Sequence, residues 1–175
     1  KTIGEHVFDE SHLDATAELG DRVADLGANA EFFVAIGSGT LCDLAKHAGT
    51  KIKRPVLSFA TAASMNGYTS GITAVKLRGL KRTVPCPPAL AVFADPEIAA
   101  AAPPRMAAAG VADYLSKCSA GADWRVANIL RGEYYDDNAL RFYEGALDRV
   151  LETTARVGAG DPEAVPRGAV AREQR

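Results

Sequence analysis

The strongest constraint on the fold is an apolar run that leads directly into a glycine turn. Residues 32–36 are continuously apolar, and Gly37-Ser38-Gly39-Thr40 follows before a helix-like segment from Leu41 to His47. A continuous apolar run of this length is typical of a parallel strand that is buried on both faces. The sequence therefore predicts a buried strand, a sharp turn and a helix in succession.

The turn itself has two interpretations. Its two glycines let the chain turn sharply and let a ligand approach the bare backbone, and Thr40 is placed to cap the helix. The unpaired N–H groups of a helix N-terminus, together with the helix dipole, bind anions. One interpretation is a pyrophosphate cradle for a nucleotide. The other is an ordinary strand–turn–helix connection, and the turn alone leaves both open.

The sequence predicts further strands within the first hundred residues. Residues 55–59 and 89–94 are apolar and predict two more buried strands, whereas residues 72–77 alternate like an exposed strand that ends at a Gly79 turn. Residues 60–70 are small and rich in hydroxyl groups, and loops at the carboxyl ends of parallel strands bind ligands in such folds. The alternative is a surface loop of small polar residues. Strands that alternate with helices predict an α/β layered fold.

The pattern becomes purely helical after Pro103. Asp113 lies off the apolar stripe of the first long helix, and a second helix is expected from about residue 136 to residue 157. We therefore predict an α/β domain over residues 1–102 and an all-α domain over residues 103–175. The apolar stripe consists of Val111, Leu115, Cys118, Ala122, Val126 and Ile129.

Composition excludes several classes of partner. The 175-residue chain is 47% hydrophobic with a net charge of −2, which gives no reason to expect nucleic acid or an anionic membrane as partner. No apolar run has the length of a membrane span. Cys42, Cys86 and Cys118 are an odd number at wide spacing and predict no disulfide framework. A reducing, cytoplasmic setting is expected, and association with other copies of the chain is left open.

Four groups of residues, taken in order and spacing, resemble one known family. They are residues 37–43, the Thr-Ala-Ala-Ser-Met-Asn-Gly-Tyr-Thr-Ser run at 61–70, residues 101–117, and Ala122-Asp123-Trp124 followed by Gly132-Glu133. Together they resemble the sn-glycerol-1-phosphate dehydrogenases. That family belongs to a wider group that includes glycerol dehydrogenases, iron-containing alcohol dehydrogenases and dehydroquinate synthases.

The resemblance implies both a fold and an activity. The fold would be a partial Rossmann-like dinucleotide-binding sheet followed by a partial, dehydroquinate synthase-like helical domain, with the active site in the cleft between them. The activity would be the NAD(P)H-dependent reduction of dihydroxyacetone phosphate to sn-glycerol 1-phosphate, and its reverse, in the synthesis of glycerophospholipid precursors. One catalytic Zn²⁺ ion would be expected, with Ni²⁺ in some relatives.

The same resemblance implies roles for individual residues. Asn66 would contact the substrate, and Asp113 would be the catalytic residue that binds both metal and substrate. From the residues alone, Asp113 also fits a solvated carboxylate paired with Lys117 one helical turn later. The cofactor would be bound by Gly37, Ser38, Gly39, Thr40, Leu41, Asp43, Thr61, Ala62, Ala63, Ser64 and Ser70.

The chain also departs from the family. Relatives usually carry Asp where this chain has Asn66, and an amide can hydrogen-bond a substrate hydroxyl but cannot act as a base. The three histidines, His6, His12 and His47, all precede Asp113, and none occupies a family ligand position. The family's chains are longer at both ends, so we expect a truncated and impaired enzyme. The alternatives are another polyol or alcohol dehydrogenase of the group, or a non-catalytic nucleotide-binding fragment.

Overall fold

The structure is a computed structural model that describes residues 4–9, 12–159, 161 and 163. The chain divides into two compact units, one that contains residues 4–61 and 67–95 and one that contains residues 62–66 and 96–163. The first unit is an α/β structure and the second is helical, as the sequence predicts. The domain boundary after residue 102 stays a prediction.

A three-stranded parallel sheet forms the centre of the first unit. Its strands lie in the order β1-β2-β5, and the register places Gly37 beside Ala60 and Ala60 beside Ala94. The carboxyl ends of the three predicted strands therefore lie side by side. The elements of this unit are α1 (Ala17–Leu26), β1 (Phe33–Gly37), α2 (Gly39–Ile52), β2 (Val56–Ala60), β3 (Ile72–Leu77), β4 (Leu80–Pro85) and β5 (Ala91–Ala94).

The prediction that β1 is buried on both faces is wrong for one face. Ala35 is buried and belongs to a core cluster with Ala45 and Val56, against which Phe33 packs. Val34 and Ile36 point to the other side and are 53% and 65% exposed. Alternate residues of a strand point to opposite faces, and within the described residues only one face of this strand is covered.

Polar contacts join α1 to α2. The hydroxyl of Thr16 caps α1 by accepting a hydrogen bond from the Leu19 N–H at 3.1 Å, which satisfies one of the free donors of that helix end. Asp21 of α1 contacts His47 and Lys51 of α2, each at 3.0 Å. The hydrogen bond from His47, followed by the one from Lys51, lowers the pKa of the Asp21 carboxyl.

A hairpin made of β3 and β4 completes the first unit. The strands pair antiparallel from Ile72–Pro85 to Leu77–Leu80. Arg78 and Gly79 connect them with φ angles of 51° and 77°, as a tight two-residue hairpin turn requires. The predicted strand and turn are confirmed. The sequence did not predict β4, because its centre is polar and exposed and carries no apolar alternation.

In the described part of the chain, the second unit contains three α-helices: α3 (Pro96–Ala100), α4 (Pro104–Arg131) and α5 (Asp137–Gly158). The Tyr114 hydroxyl of α4 donates to the Tyr143 carbonyl of α5 at 2.8 Å, and the Tyr143 hydroxyl donates to the Tyr114 carbonyl at 3.3 Å. Burial, followed by the hydrogen bond to Cys118, raises the pKa of Tyr143 to about 12. None of the described helices is both long and apolar enough to span a membrane.

The predicted apolar stripe of α4 is largely exposed, although its Cys118 is hydrogen-bonded to the Tyr143 hydroxyl of α5 at 3.2 Å. Val126 and Ile129 of that stripe are 51% and 73% exposed. Gly121 is buried instead, and a Cβ atom there would lie 2.7 Å from Leu140 Cδ1 of α5. The helices therefore meet on the face that carries Tyr114 and Gly121, because the absent side chain of Gly121 lets α5 approach closely.

Candidate functional site

The glycine turn lies between β1 and α2, as predicted, but its helix cap differs. Ser38 is the N-cap residue, in an extended conformation, and its carbonyl accepts a hydrogen bond from the Cys42 N–H at 3.2 Å. The prediction that Thr40 caps the helix is wrong, because α2 already begins at Gly39. The first N–H groups of α2 therefore follow directly after the turn, and such groups have no partner inside a helix.

Gly37 has a backbone conformation that suits glycine. Its φ angle is +157°, and a Cβ atom at this position would collide with the side chain of Leu41. The carbonyl of Gly37 accepts a hydrogen bond from the Thr61 N–H at 3.2 Å. The structure therefore brings together three of the predicted cofactor residues, Gly37, Leu41 and Thr61, at the carboxyl ends of β1 and β2.

The carboxylate of Asp43 is oriented toward the β3–β4 hairpin. The Thr73 hydroxyl lies 3.1 Å from Asp43 Oδ1 and 2.9 Å from the Asp43 backbone oxygen, and can donate to either. Burial raises the pKa of Asp43, although hydrogen bonds from the Ala74 backbone and from Thr73 act in the opposite direction. Asp43 thus anchors the hairpin to α2, and its contact with a cofactor stays a prediction.

Ser70 belongs to a buried polar cluster that the sequence analysis did not find. Lys46 of α2 is only 1% exposed. Its Nζ atom donates to the Gly67 carbonyl at 3.0 Å, to Ser70 Oγ at 3.1 Å and to the Ile72 carbonyl. Lys46 lies on the same face of α2 as Cys42 and Gly49, which are also buried. A lysine among these positions was the feature of the sequence that could have indicated the cluster.

In the second unit, residues 62–66 lie against α4. Ala62 is buried, and Gly110 of α4 lies so close to this segment that a Cβ atom there would collide with the Ala63 carbonyl. The absence of a side chain at residue 110 is therefore what allows the backbones to approach. The roles of Ala62, Ala63 and Ser64 in cofactor binding stay predictions.

The two predicted substrate residues are hydrogen-bonded to each other. The Asn66 backbone N–H donates to Asp113 Oδ2 at 2.9 Å, and the Lys117 ammonium donates to Asp113 Oδ1 at 3.3 Å. Asp113 thus pairs with Lys117, as the helical spacing allowed, and also contacts Asn66. These two donors contact different oxygens of the carboxylate, and a carboxylate has about four acceptor positions in all.

The described residues do not by themselves fit a zinc centre. A catalytic zinc typically has three protein ligands. No group of three His, Cys, Asp or Glu side chains suited to a metal ion occurs in the described part of the chain. Asp113 is one carboxylate that already has Lys117 as a cationic partner. A single ligand of this kind does not define a metal site.

A cavity of about 390 Å³ lies elsewhere in the first unit. None of its lining residues belongs to the predicted site. It therefore does not identify the place where a nucleotide would bind. The cavity is lined by His6, Val7, Phe8, Asp9, Leu19 and Arg22.

Comparison with known proteins identifies the family to which the chain belongs. The profile of the iron-containing alcohol dehydrogenase family matches residues 2–103, which is more than half of the chain. The chain therefore belongs to the iron-containing alcohol dehydrogenase family. The matched range contains the parallel sheet, the glycine turn and the buried Lys46 cluster.

Among curated relatives, the chain is similar to glycerol-1-phosphate dehydrogenases [NAD(P)+]. It is 30% identical to that of Pyrococcus horikoshii over 89% of this chain and 44% of the relative. It is 39% identical to that of Methanosarcina mazei over 79% of this chain and 39% of the relative. The chain thus spans less than half the length of these curated relatives.

Solved structures show the same fold. The iron-containing alcohol dehydrogenase of Thermotoga maritima matches with a TM-score of 0.71 at 18% identity, over 91% of this chain and 48% of that one. The glycerol dehydrogenase of Schizosaccharomyces pombe matches with a TM-score of 0.68 at 19% identity, over 86% of this chain and 43% of that one. At these identities the likeness concerns the fold alone.

Proposed function

We propose that this chain forms the nucleotide-binding portion, and part of the substrate-binding portion, of an NAD(P)-dependent dehydrogenase that interconverts dihydroxyacetone phosphate and sn-glycerol 1-phosphate. The observation that carries the proposal is the hydrogen bond between Asn66 and Asp113. These are the two residues to which the sequence resemblance independently assigns the substrate. The names of the curated relatives supply the same substrate class.

The residues around the glycine turn fit the cofactor. The N–H groups at the start of α2 follow Gly37 and Ser38 directly, and helix N-termini favour the negative charge of a pyrophosphate. The close approach of Thr61 to Gly37 supports this placement, because it puts the ends of two parallel strands at one edge. We assign the pyrophosphate to residues 37–41 and the nicotinamide side to Thr61, Ser70 and residues 62–64.

Asp113 and Asn66 supply the contacts for the substrate. The Asp113 carboxylate is fixed by donors on both oxygens, and its remaining lone pairs can accept hydrogen bonds from substrate hydroxyl groups. When bound at residues 37–41, 61–64 and 70, the cofactor would supply a hydride for the carbonyl carbon of dihydroxyacetone phosphate. In this scheme the chain's residues orient the two reactants, which lowers the entropic part of the barrier.

Nucleotide titration tests the proposal directly. NADH and NADPH are titrated against the chain while nicotinamide fluorescence is recorded, with NAD⁺ as competitor. We expect saturable binding that NAD⁺ reverses. Gly39→Val should abolish it, because a β-branched side chain at the first helical position blocks approach of phosphate to the backbone.

Gly145→Val is the matched control for Gly39→Val. Gly145 lies in α5, and a Cβ atom there would meet no atom within 4 Å. This variant carries the same change in helix propensity at a position outside the proposed site. Equal NADH affinity of Gly39→Val and wild type would contradict the assignment of the turn, and no NADH binding by the wild type would overturn the proposed function.

A further inference from the structure

Lys46 is a buried cation whose hydrogen bonds all go to uncharged oxygens. Its side chain is 1% exposed, and its three partners are the Gly67 carbonyl, Ser70 Oγ and the Ile72 carbonyl. An ammonium group has three donors, so every donor of Lys46 is used. Burial of a charge is unfavourable unless it is fully hydrogen-bonded. The group therefore ties α2 to the segment from Gly67 to Ile72.

Lys46 also determines what the Ser70 hydroxyl can do. Ser70 Oγ accepts a hydrogen bond from Lys46 at 3.1 Å. It lies 2.9 Å from the Gly67 carbonyl and 3.0 Å from the Ile72 carbonyl. A hydroxyl has one proton and two lone pairs. Because the ammonium occupies one lone pair and the two carbonyls attract the proton, what remains for a ligand is the second lone pair.

We propose that Lys46 is a positioning residue that holds the Ser70 hydroxyl as a hydrogen-bond acceptor for the carboxamide N–H₂ group of the nicotinamide ring. This inference rests on the proposed function, which places Ser70 on the nicotinamide side. It adds that Ser70 accepts the hydrogen bond from the carboxamide, and that Lys46 is the residue that imposes this direction. A Ser70 that is free to rotate could donate instead, and would then not distinguish a carboxamide from a ketone.

An analogue without the donor tests the direction of this hydrogen bond. The 3-acetylpyridine analogue of NADH replaces the carboxamide N–H₂ with a methyl group, and so retains the carbonyl but has no donor. If Ser70 accepts from the carboxamide, the wild-type chain should bind NADH about tenfold more tightly than the analogue, as expected for the loss of one hydrogen bond to a partner held in place. Ser70→Ala should reduce this ratio to about one.

The Lys46→Met variant tests whether Lys46 acts through Ser70. It should lower the ratio as Ser70→Ala does, and the double variant should lower it no further. Lys51→Met is the matched control, because Lys51 lies on the same helix but is 44% exposed and pairs with Asp21. This control should keep the wild-type ratio. A lysine that only stabilised the fold would weaken binding of both nucleotides equally and leave the ratio unchanged.

If Lys46→Met keeps the wild-type ratio while Ser70→Ala loses it, Lys46 is not the positioning residue. If the wild type binds NADH and the analogue equally, the acceptor role is overturned while the proposed function stands. If the wild type binds neither nucleotide, both fail.

A second variant keeps the test valid if Lys46→Met does not fold, which circular dichroism detects. Lys46→Arg then takes its place. The planar guanidinium retains the charge but cannot direct three donors as a tetrahedral ammonium does. The ratio should again fall toward one. If Lys46→Arg keeps the wild-type ratio, the inference is overturned.

Discussion

The backbone N–H of Asn66 donates a hydrogen bond to Oδ2 of Asp113 across 2.9 Å, although the two residues are 47 positions apart in the chain. The Lys117 ammonium contacts the other oxygen of the same carboxylate. Asp113 is therefore held by one donor from the segment after β2 and by one donor from its own helix. A carboxylate held in this way is oriented before any ligand arrives, which reduces the entropy lost on binding.

Under the proposed function, Asn66→Asp should change the kinetics of dihydroxyacetone phosphate reduction without changing cofactor binding. The new carboxylate adds a negative charge near Asp113 and, at the proposed substrate position, beside a phosphate-bearing substrate. Like charges disfavour one another. We expect kcat or KM for dihydroxyacetone phosphate to change by about tenfold or more, with NADH affinity within about twofold of wild type. Asn138→Asp, at an exposed position of α5, is the control. Equal kinetics for Asn66→Asp and wild type would place residue 66 outside the substrate site.

Gly110→Ala should destabilise the second unit. A Cβ atom at residue 110 collides with the Ala63 carbonyl, so residues 62–66 must move away from α4. Overpacking of this kind typically costs about 1–3 kcal/mol. The control is Gly145→Ala in α5, where a Cβ atom meets nothing within 4 Å and should stabilise by about 0.5–1 kcal/mol. Urea unfolding measures the stability of both variants. A Gly110→Ala variant as stable as Gly145→Ala would contradict the close approach of Gly110 to the Ala63 carbonyl.

Asp43→Asn should change how stability depends on pH. Burial raises the pKa of the Asp43 carboxyl in the folded chain above its usual value of 3.8. The folded state therefore holds this proton more tightly than the unfolded state, so the stabilisation is present below pH 3.8 and is lost as pH rises through the folded pKa. The Asn side chain is neutral throughout and can still accept from Thr73.

Thermal unfolding of both forms between pH 3 and pH 7 provides the measurement for Asp43. The free energy of unfolding of the wild type, relative to Asp43→Asn, should fall as pH rises through the folded pKa. A difference that rises with pH would mean that the Asp43 carboxylate is stabilised by its hydrogen bonds more than it is destabilised by burial.

The chain should purify without stoichiometric zinc. Asp113 is one carboxylate that already pairs with Lys117, and a single such ligand holds a divalent ion weakly because most remaining ligands are water. Elemental analysis after dialysis should find well below one zinc per chain. Asp113→Ala and Asp123→Ala, both on α4, should give the same low value. If the chain instead binds one equivalent of zinc tightly, and only Asp113→Ala removes it, other residues must complete a metal site with Asp113.

Local signals in the sequence predicted most of the first unit. The strand at residues 33–37, the glycine turn and the helix after it, and the turn at Gly79 all depend on neighbours a few positions apart, where backbone preference and apolar spacing act directly. The Asp113–Lys117 pair was foreseeable for the same reason, since one helical turn separates the two residues. The cap at Ser38 in place of Thr40 shows the usual uncertainty of an element boundary.

Other features depended on contacts between distant parts of the chain. The packing face of α4 could not be predicted, because Gly121 becomes an interface residue only when Leu140 of α5 is brought against it. The strand β4 has no apolar pattern of its own and exists because β3 supplies its backbone hydrogen bonds. Periodicity within a segment contains no information about the surface that segment will meet.

The sequence alone thus determined the order of strands and helices, the glycine turn and, through its motifs, the family. Only the tertiary structure decided that Asn66 contacts Asp113, that Gly110 must lack a side chain, and that Lys46 is buried and hydrogen-bonded to Ser70. The physical reason is that hydrogen bonds and close packing act over a few ångströms in space. Residues far apart in the chain come within that distance only after the strands and helices have assembled.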